Sequence, residues 1–129
     1  MSKNLTSGAG PSLDGTGRRI ALICARFNDL IVDRLEQGAR AALLEAGVAE
    51  GDIVSIKVPG ALEIPIAMQA ALATNTFDAA IALGVVLRGD TYHFEVVSNE
   101  SAAGVMRVGL DSGRVVTNGI LTVATEAQA

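Results

Sequence analysis

The 129-residue sequence predicts one three-layer α/β/α domain built on a four-stranded parallel sheet. Three observations carry that expectation. Short apolar runs rich in Ile, Val and Leu recur along the chain, each of a length suited to a strand buried on both faces. Stretches with apolar residues at helical spacing separate them. Half of the residues are hydrophobic but only 3% are aromatic, so the core must be built from small aliphatic side chains. Such alternation calls for right-handed crossovers that place helices on both faces of the sheet. No internal repeat and no second domain is visible.

Taken in order, residues 1–17 are rich in Gly, Ser and Thr and predict a flexible N-terminal arm or an added edge strand, ahead of a domain spanning 18–129. RRIALICARF (18–27) is the first strand. It breaks at Asn28-Asp29, a good N-cap pair. Ile31, Leu35, Ala39, Ala42 and Ala46 then recur at helical spacing, with Arg34, Gln37 and Arg40 facing outward and Gly47 ending the helix. DIVSIKVP (52–59) is the second strand, stopped by proline. Pro65 suits the first turn of a helix running through IAMQAALAT. DAAIALGVVL (78–87) is the third strand. A helix from about Thr91 to Leu110 follows, with Phe94, Val97, Ser101, Val105 and Val108 on one face. After a DSG turn, RVVTNGILT (114–122) is the fourth strand.

Composition excludes several classes of function. A formal charge of −4 and a pI near 4.8 argue against a nucleic-acid or anionic-membrane surface. The lone Cys24 lies in an apolar run and reads as a buried small hydrophobe, which fits a reducing, cytoplasmic compartment. MSKNLTSGAGPSLDGTG has no apolar core of a signal peptide, and no stretch of about 18 apolar residues spans a membrane. One histidine and one cysteine are too few for a zinc pattern, so no metal is expected. Neither GxGxxG after a strand nor GxxxxGK[ST] occurs, and no serine sits in a GxSxG elbow.

Ligands of open parallel sheets bind outside the carboxyl ends of the strands. The unusual residues of this chain collect there: Arg26-Phe27-Asn28, Val58 to Ala61, Gly84 to His93, and the neighbourhood of Asn118. An aromatic at a strand exit such as Phe27 packs under a helix as readily as it offers a face to a flat heterocycle. Pro59-Gly60 makes a tight exit where a ligand can approach bare backbone, and Pro65 fixes Glu63 just outside a helix start. There Glu63 either complements the helix dipole or accepts hydrogen bonds from ligand hydroxyls. In LRGDTYHF, Gly89 loosens the turn and Asp90 or Thr91 caps the next helix, leaving free N–H groups near Thr91 and Tyr92 for an anion. His93 in the first turn is either an idle surface imidazole or a general base kept neutral by the dipole. Arg88 is read as the partner of an acid.

The set ARFN (25–28), VPGALEIP (58–65), ALGVVLRGDTYHFEVVSNE (82–100) and NGILT (118–122), in this order and spacing, resembles the 6,7-dimethyl-8-ribityllumazine synthases. The resemblance runs from about residue 18 to the C-terminus and implies a flavodoxin-like fold. It further implies condensation of 5-amino-6-(D-ribitylamino)uracil with 3,4-dihydroxy-2-butanone 4-phosphate, the penultimate step of riboflavin synthesis, with no metal or redox cofactor. On matching positions, Phe27 would stack on the uracil ring, Ala61 and Glu63 would hold the ribityl chain, and backbone from Val85 through Val86 to Leu87 would bind the ring edge. Gly89, Asp90 and Thr91 would cradle phosphate, and His93 would shuttle protons. Family sites lie between subunits, so a homopentamer or pentamer-based assembly is implied, with Asn118 reaching the neighbour's ring and riboflavin synthase as a partner. Some members carry an aromatic where Asn118 stands, so stacking from that side is weaker here.

The chain stops at TEAQA, where Thr125-x-x-Gln128 is a capping-box pattern. The family continues through one or two more helices bearing a phosphate-binding arginine, so a C-terminally truncated domain is expected. Two other readings stand beside catalysis. One is a non-catalytic uracil- or lumazine-binding or shell-forming relative. The other is a flavodoxin-like regulatory module with coincidental motifs.

Overall fold

A computed structural model describes residues 13–129. The described chain alternates strand and helix: β1 (Ile20–Ala25), α1 (Asp29–Glu45), β2 (Ile53–Val58), α2 (Ile64–Ala73), β3 (Ala79–Leu87), α3 (His93–Ser112) and β4 (Val115–Val123). The strands form one sheet in the order β2-β1-β3-β4, and every pairing is parallel. Every strand therefore points its carboxyl end to the same edge, which is where a ligand cleft belongs.

Side chains alternate across the sheet and separate two apolar layers. Ala21, Ile23 and Ala25 of β1 join Ala80 and Ala82 of β3 against Ile64, Met68 and Leu72 of α2 and Val105 and Val108 of α3. Leu22 and Cys24 join Leu83 and Val85 on the opposite face, under Val32 of α1. All six residues of β1 are buried, as its interior slot between β2 and β3 requires. Alanine dominates the sheet face that α2 and α3 cover, and Phe77 is the one aromatic buried in that layer among the described residues. Cys24 is fully buried, and burial, with the nearby Glu36 carboxylate, pushes its thiol up to about 11.

The strands and helices lie within a residue or two of their expected positions, but three local details differ. Asn28 occupies the N-cap of α1, yet in the left-handed region (φ 61°) and with no side-chain cap; its amide instead donates to Val85 O at 3.3 Å. Val32, not one of the residues singled out from the spacing, is the buried anchor of α1, and Ala42 is exposed. Arg40 does not face outward. It turns back onto β2, donating to Ser55 Oγ at 2.7 Å and to Ile53 O at 3.3 Å. Acceptors on β2 draw it inward, and Glu36 of the same helix holds it there: Lys57 and Arg40 both converge on that carboxylate, with Lys57 Nζ 2.6 Å from Glu36 Oε1.

Residues 1–12 of the expected arm lie outside the described residues. The last part of that segment runs along the end of α1, where Gly15 N–H donates to Ala46 O at 2.7 Å.

Candidate active site

Three strand exits converge on one cleft of about 430 Å³. From β1 come Phe27 and Asn28. The β2 exit supplies Gly60, Ala61, Leu62 and Glu63. From β3 and the start of α3 come Val85, Val86, Leu87, Gly89, Thr91 and His93. Phe94 and Val97, in the first and second turns of α3, complete the wall.

The β1 and β2 exits are tied together by backbone. Arg26 N–H donates to Val58 O at 2.8 Å, and the N–H groups of both Arg26 and Phe27 reach Pro59 O at 3.2 Å. The loop therefore holds Phe27 outward: its ring is 70% exposed, too open to be packing under a helix. Asn28 then returns across β1 to Val85 O, linking the Phe27 loop to the β3 wall.

At the β2 exit, Ala61–Glu63 form one 3-10 turn leading into α2, with Pro65 in its first turn. Glu63 folds back so that Oε1 accepts the Gly60 N–H at 2.9 Å. The second carboxylate oxygen has no partner among the described residues and remains available to a hydroxyl donor.

Beyond β3 the chain opens at Gly89 and enters α3. Neither Asp90 nor Thr91 is its N-cap. Tyr92 takes that position, and Thr91 Oγ1 accepts only a long bond, 3.4 Å, from His93 N–H. Among the described residues, the N–H groups of residues 89–92 have no acceptor, so a turn of unpaired donors faces the positive end of a helix. That arrangement can receive an anion. His93 is exposed at the mouth of the cleft. Arg88 stays outside, pairing Glu95 at 3.0 Å and lying 4.5 Å from the Phe94 ring centre.

Two candidate residues fall elsewhere. Asp90 does not line the cleft. Asn118, on β4, has its Oδ1 turned to Ile120 N–H at 2.8 Å and lines a separate groove with Met106 and Leu110 of α3. Leu62, Phe94 and Val97 were not anticipated as lining residues. Phe94 and Val97 could have been found, because the inner face of a helix that starts at the cleft must meet it within its first turns.

The family of 6,7-dimethyl-8-ribityllumazine synthases matches residues 17–129. The chain belongs to that family. A 6,7-dimethyl-8-ribityllumazine synthase of Cupriavidus metallidurans is 52% identical over 118 residues, covering 92% of this chain and 70% of that one. One from Ralstonia pickettii is also 52% identical over 118 residues, with 92% and 71% covered. One from Burkholderia mallei is 47% identical over 119 residues, with 92% and 69% covered. The matched span includes each strand exit of the cleft. No helix among the described residues is long and apolar enough to cross a membrane, and no three His, Cys, Asp or Glu side chains among them gather as a metal site.

Proposed function

We propose that this chain condenses 5-amino-6-(D-ribitylamino)uracil with 3,4-dihydroxy-2-butanone 4-phosphate to 6,7-dimethyl-8-ribityllumazine, in the cytoplasm and as a homopentamer. The carrying observation is the single cleft that unites Phe27, Ala61, Glu63, Val85, Val86, Leu87, Gly89, Thr91 and His93 in a member of this family. Its two ends differ in chemistry. At one, an exposed aromatic ring and a half-satisfied carboxylate suit a flat heterocycle carrying a polyol. At the other, unpaired N–H groups at a helix start suit a phosphate monoester.

In this reading Phe27 stacks on the uracil, the backbone from Val85 to Leu87 meets its edge, and Ala61 and Glu63 hold the ribityl hydroxyls. Backbone N–H groups of Gly89, Asp90 and Thr91 hold the phosphate, the Asp90 side chain lying outside the cleft. The 5-amino group attacks the ketone and releases water as an imine forms. Phosphate then leaves by elimination, and the ribityl-substituted nitrogen closes the second ring with loss of another water. Each step moves a proton, and His93 at the cleft mouth is placed to carry it. Asn118 faces a different groove, which suits a contact with the site of a neighbouring subunit. Riboflavin synthase, consuming the product, is the proposed downstream partner.

The test is to mix the purified chain with both substrates and follow phosphate release together with lumazine formation. Stoichiometric appearance of both supports the proposal. Binding of the uracil without turnover would favour a non-catalytic relative instead.

A further inference from the structure

Gly60 occupies a position where the backbone does not call for glycine. Its φ of −148° and ψ of −179° are extended values that any residue adopts. The neighbours are what exclude a side chain. A Cβ placed there would stand 3.0 Å from Phe27 Cδ2, 3.3 Å from Phe27 Cε2 and 3.2 Å from Glu63 Oε1. The same residue donates its N–H to that Glu63 oxygen at 2.9 Å. The space a side chain would take at position 60 is thus bounded by both the aromatic platform and the carboxylate of the cleft.

From this geometry we propose that Gly60 is a positioning residue that sets the Phe27 ring and the Glu63 carboxylate in register for the uracil-bearing substrate. The proposal rests on the activity stated above. The backbone cannot give way, because the Phe27 and Arg26 N–H groups are both anchored on Pro59 O, next to Gly60, so the ring yields only by turning about its own side-chain bonds. A methyl group at position 60 has to tilt the ring, displace the carboxylate, or both. Stacking and hydroxyl recognition belong to one substrate, whereas the unpaired N–H groups near Thr91 lie on a different loop. The disturbance is therefore selective for one of the two substrates.

The experiment measures steady-state constants for wild type, Gly60→Ala, Phe27→Leu and the double variant, with melting temperature as a control on folding. Since φ is permissive, Gly60→Ala should fold and melt within about 2 °C of wild type. Its KM for the ribitylaminouracil should rise about 3- to 30-fold, the scale of a displacement well under 1 Å, with KM for the butanone phosphate and kcat little changed. In the Phe27→Leu background, where the shorter side chain leaves room, the added methyl should cost less than about 2-fold. An unchanged KM for the uracil, an equal loss toward both substrates, or the same penalty in both backgrounds overturns the proposal. A wild-type chain that does not turn over at all sinks the proposed activity itself, and is read before any variant.

Discussion

Replacing His93 with alanine removes the chain's one imidazole from the cleft it shares with Phe27 and Glu63. Its side chain is exposed and tied into no described side-chain hydrogen bond, so the change should leave the fold intact and report on chemistry alone. His93→Ala is expected to lower kcat by roughly 10²- to 10⁴-fold, the size of a lost general acid–base group, while uracil binding persists. A pre-steady-state burst assay at saturating substrates checks this, and an unaltered rate would remove His93 from proton transfer. Phe27→Ala should behave in the opposite way. Stacking holds ground and transition states about equally, so KM for the uracil substrate should rise by about 5- to 150-fold, corresponding to about 1–3 kcal/mol of ring–ring contact, with kcat little affected. A collapse of kcat at constant KM would mean that the ring is no platform.

Between α1 and β2, stability depends on charge as well as on apolar packing. Glu36 of α1 accepts hydrogen bonds from Ser55 Oγ and from Lys57 Nζ, and Arg40 closes the group at 3.5 Å. Burial alone would raise the Glu36 carboxyl, but the bonds from Lys57 and Ser55 outweigh it and hold the group below its ordinary 4.5. Lys57 is held above its ordinary 10.5, chiefly by the same bond. A carboxyl lowered in the folded state contributes stability that is present above pH 4.5 and lost as pH falls through the lowered value. The lysine's contribution is present below 10.5 and lost as pH rises through the raised value. Glu36→Gln should therefore be less stable than wild type near neutral pH, with the gap closing as pH falls below 4.5 and through the lowered value; urea midpoints along that descent measure it. A constant gap would show that the loss is one of packing. This element also shows why part of the structure was readable beforehand and part was not. The strand–helix alternation follows from apolar periodicity, which burial enforces, so β1 and α3 fell where their sequences placed them. Arg40 was set facing outward because spacing alone cannot register the hydroxyl and carbonyl that the next strand offers it. Asn28 was expected to cap a helix, since its type favours caps, but a carbonyl of β3 competes for the amide. Local preference lost to a tertiary partner in both cases.

Large apolar side chains remain uncovered on every helix and on the edge strand β4: Leu30 on α1, Ile66 on α2, Met106 and Leu110 on α3, and Val115 on β4. A modest charge of −4 gives little repulsion to set against association through such side chains. The chain should sediment as a species several times heavier than its 13.2 kDa, as the proposed pentamer requires. A single boundary at the mass of one chain, at micromolar concentration and moderate salt, would remove the subunit-spanning role of Asn118.

The interior slot of β1 has a cost in time. Among the described residues it is the first strand to be synthesised, yet it is flanked on one side by β2 and on the other by β3. One edge can close once Val58 has emerged, but the other waits for Ala79 to Leu83. At about 5–20 residues per second, that leaves the second edge open for roughly one to five seconds of translation. Through that interval IALICA offers unpaired backbone and apolar side chains together, the combination that sheet-to-sheet aggregation exploits. The newborn chain is therefore most in need of a holding chaperone midway through its synthesis, before the β3 and α3 wall of the cleft has been made.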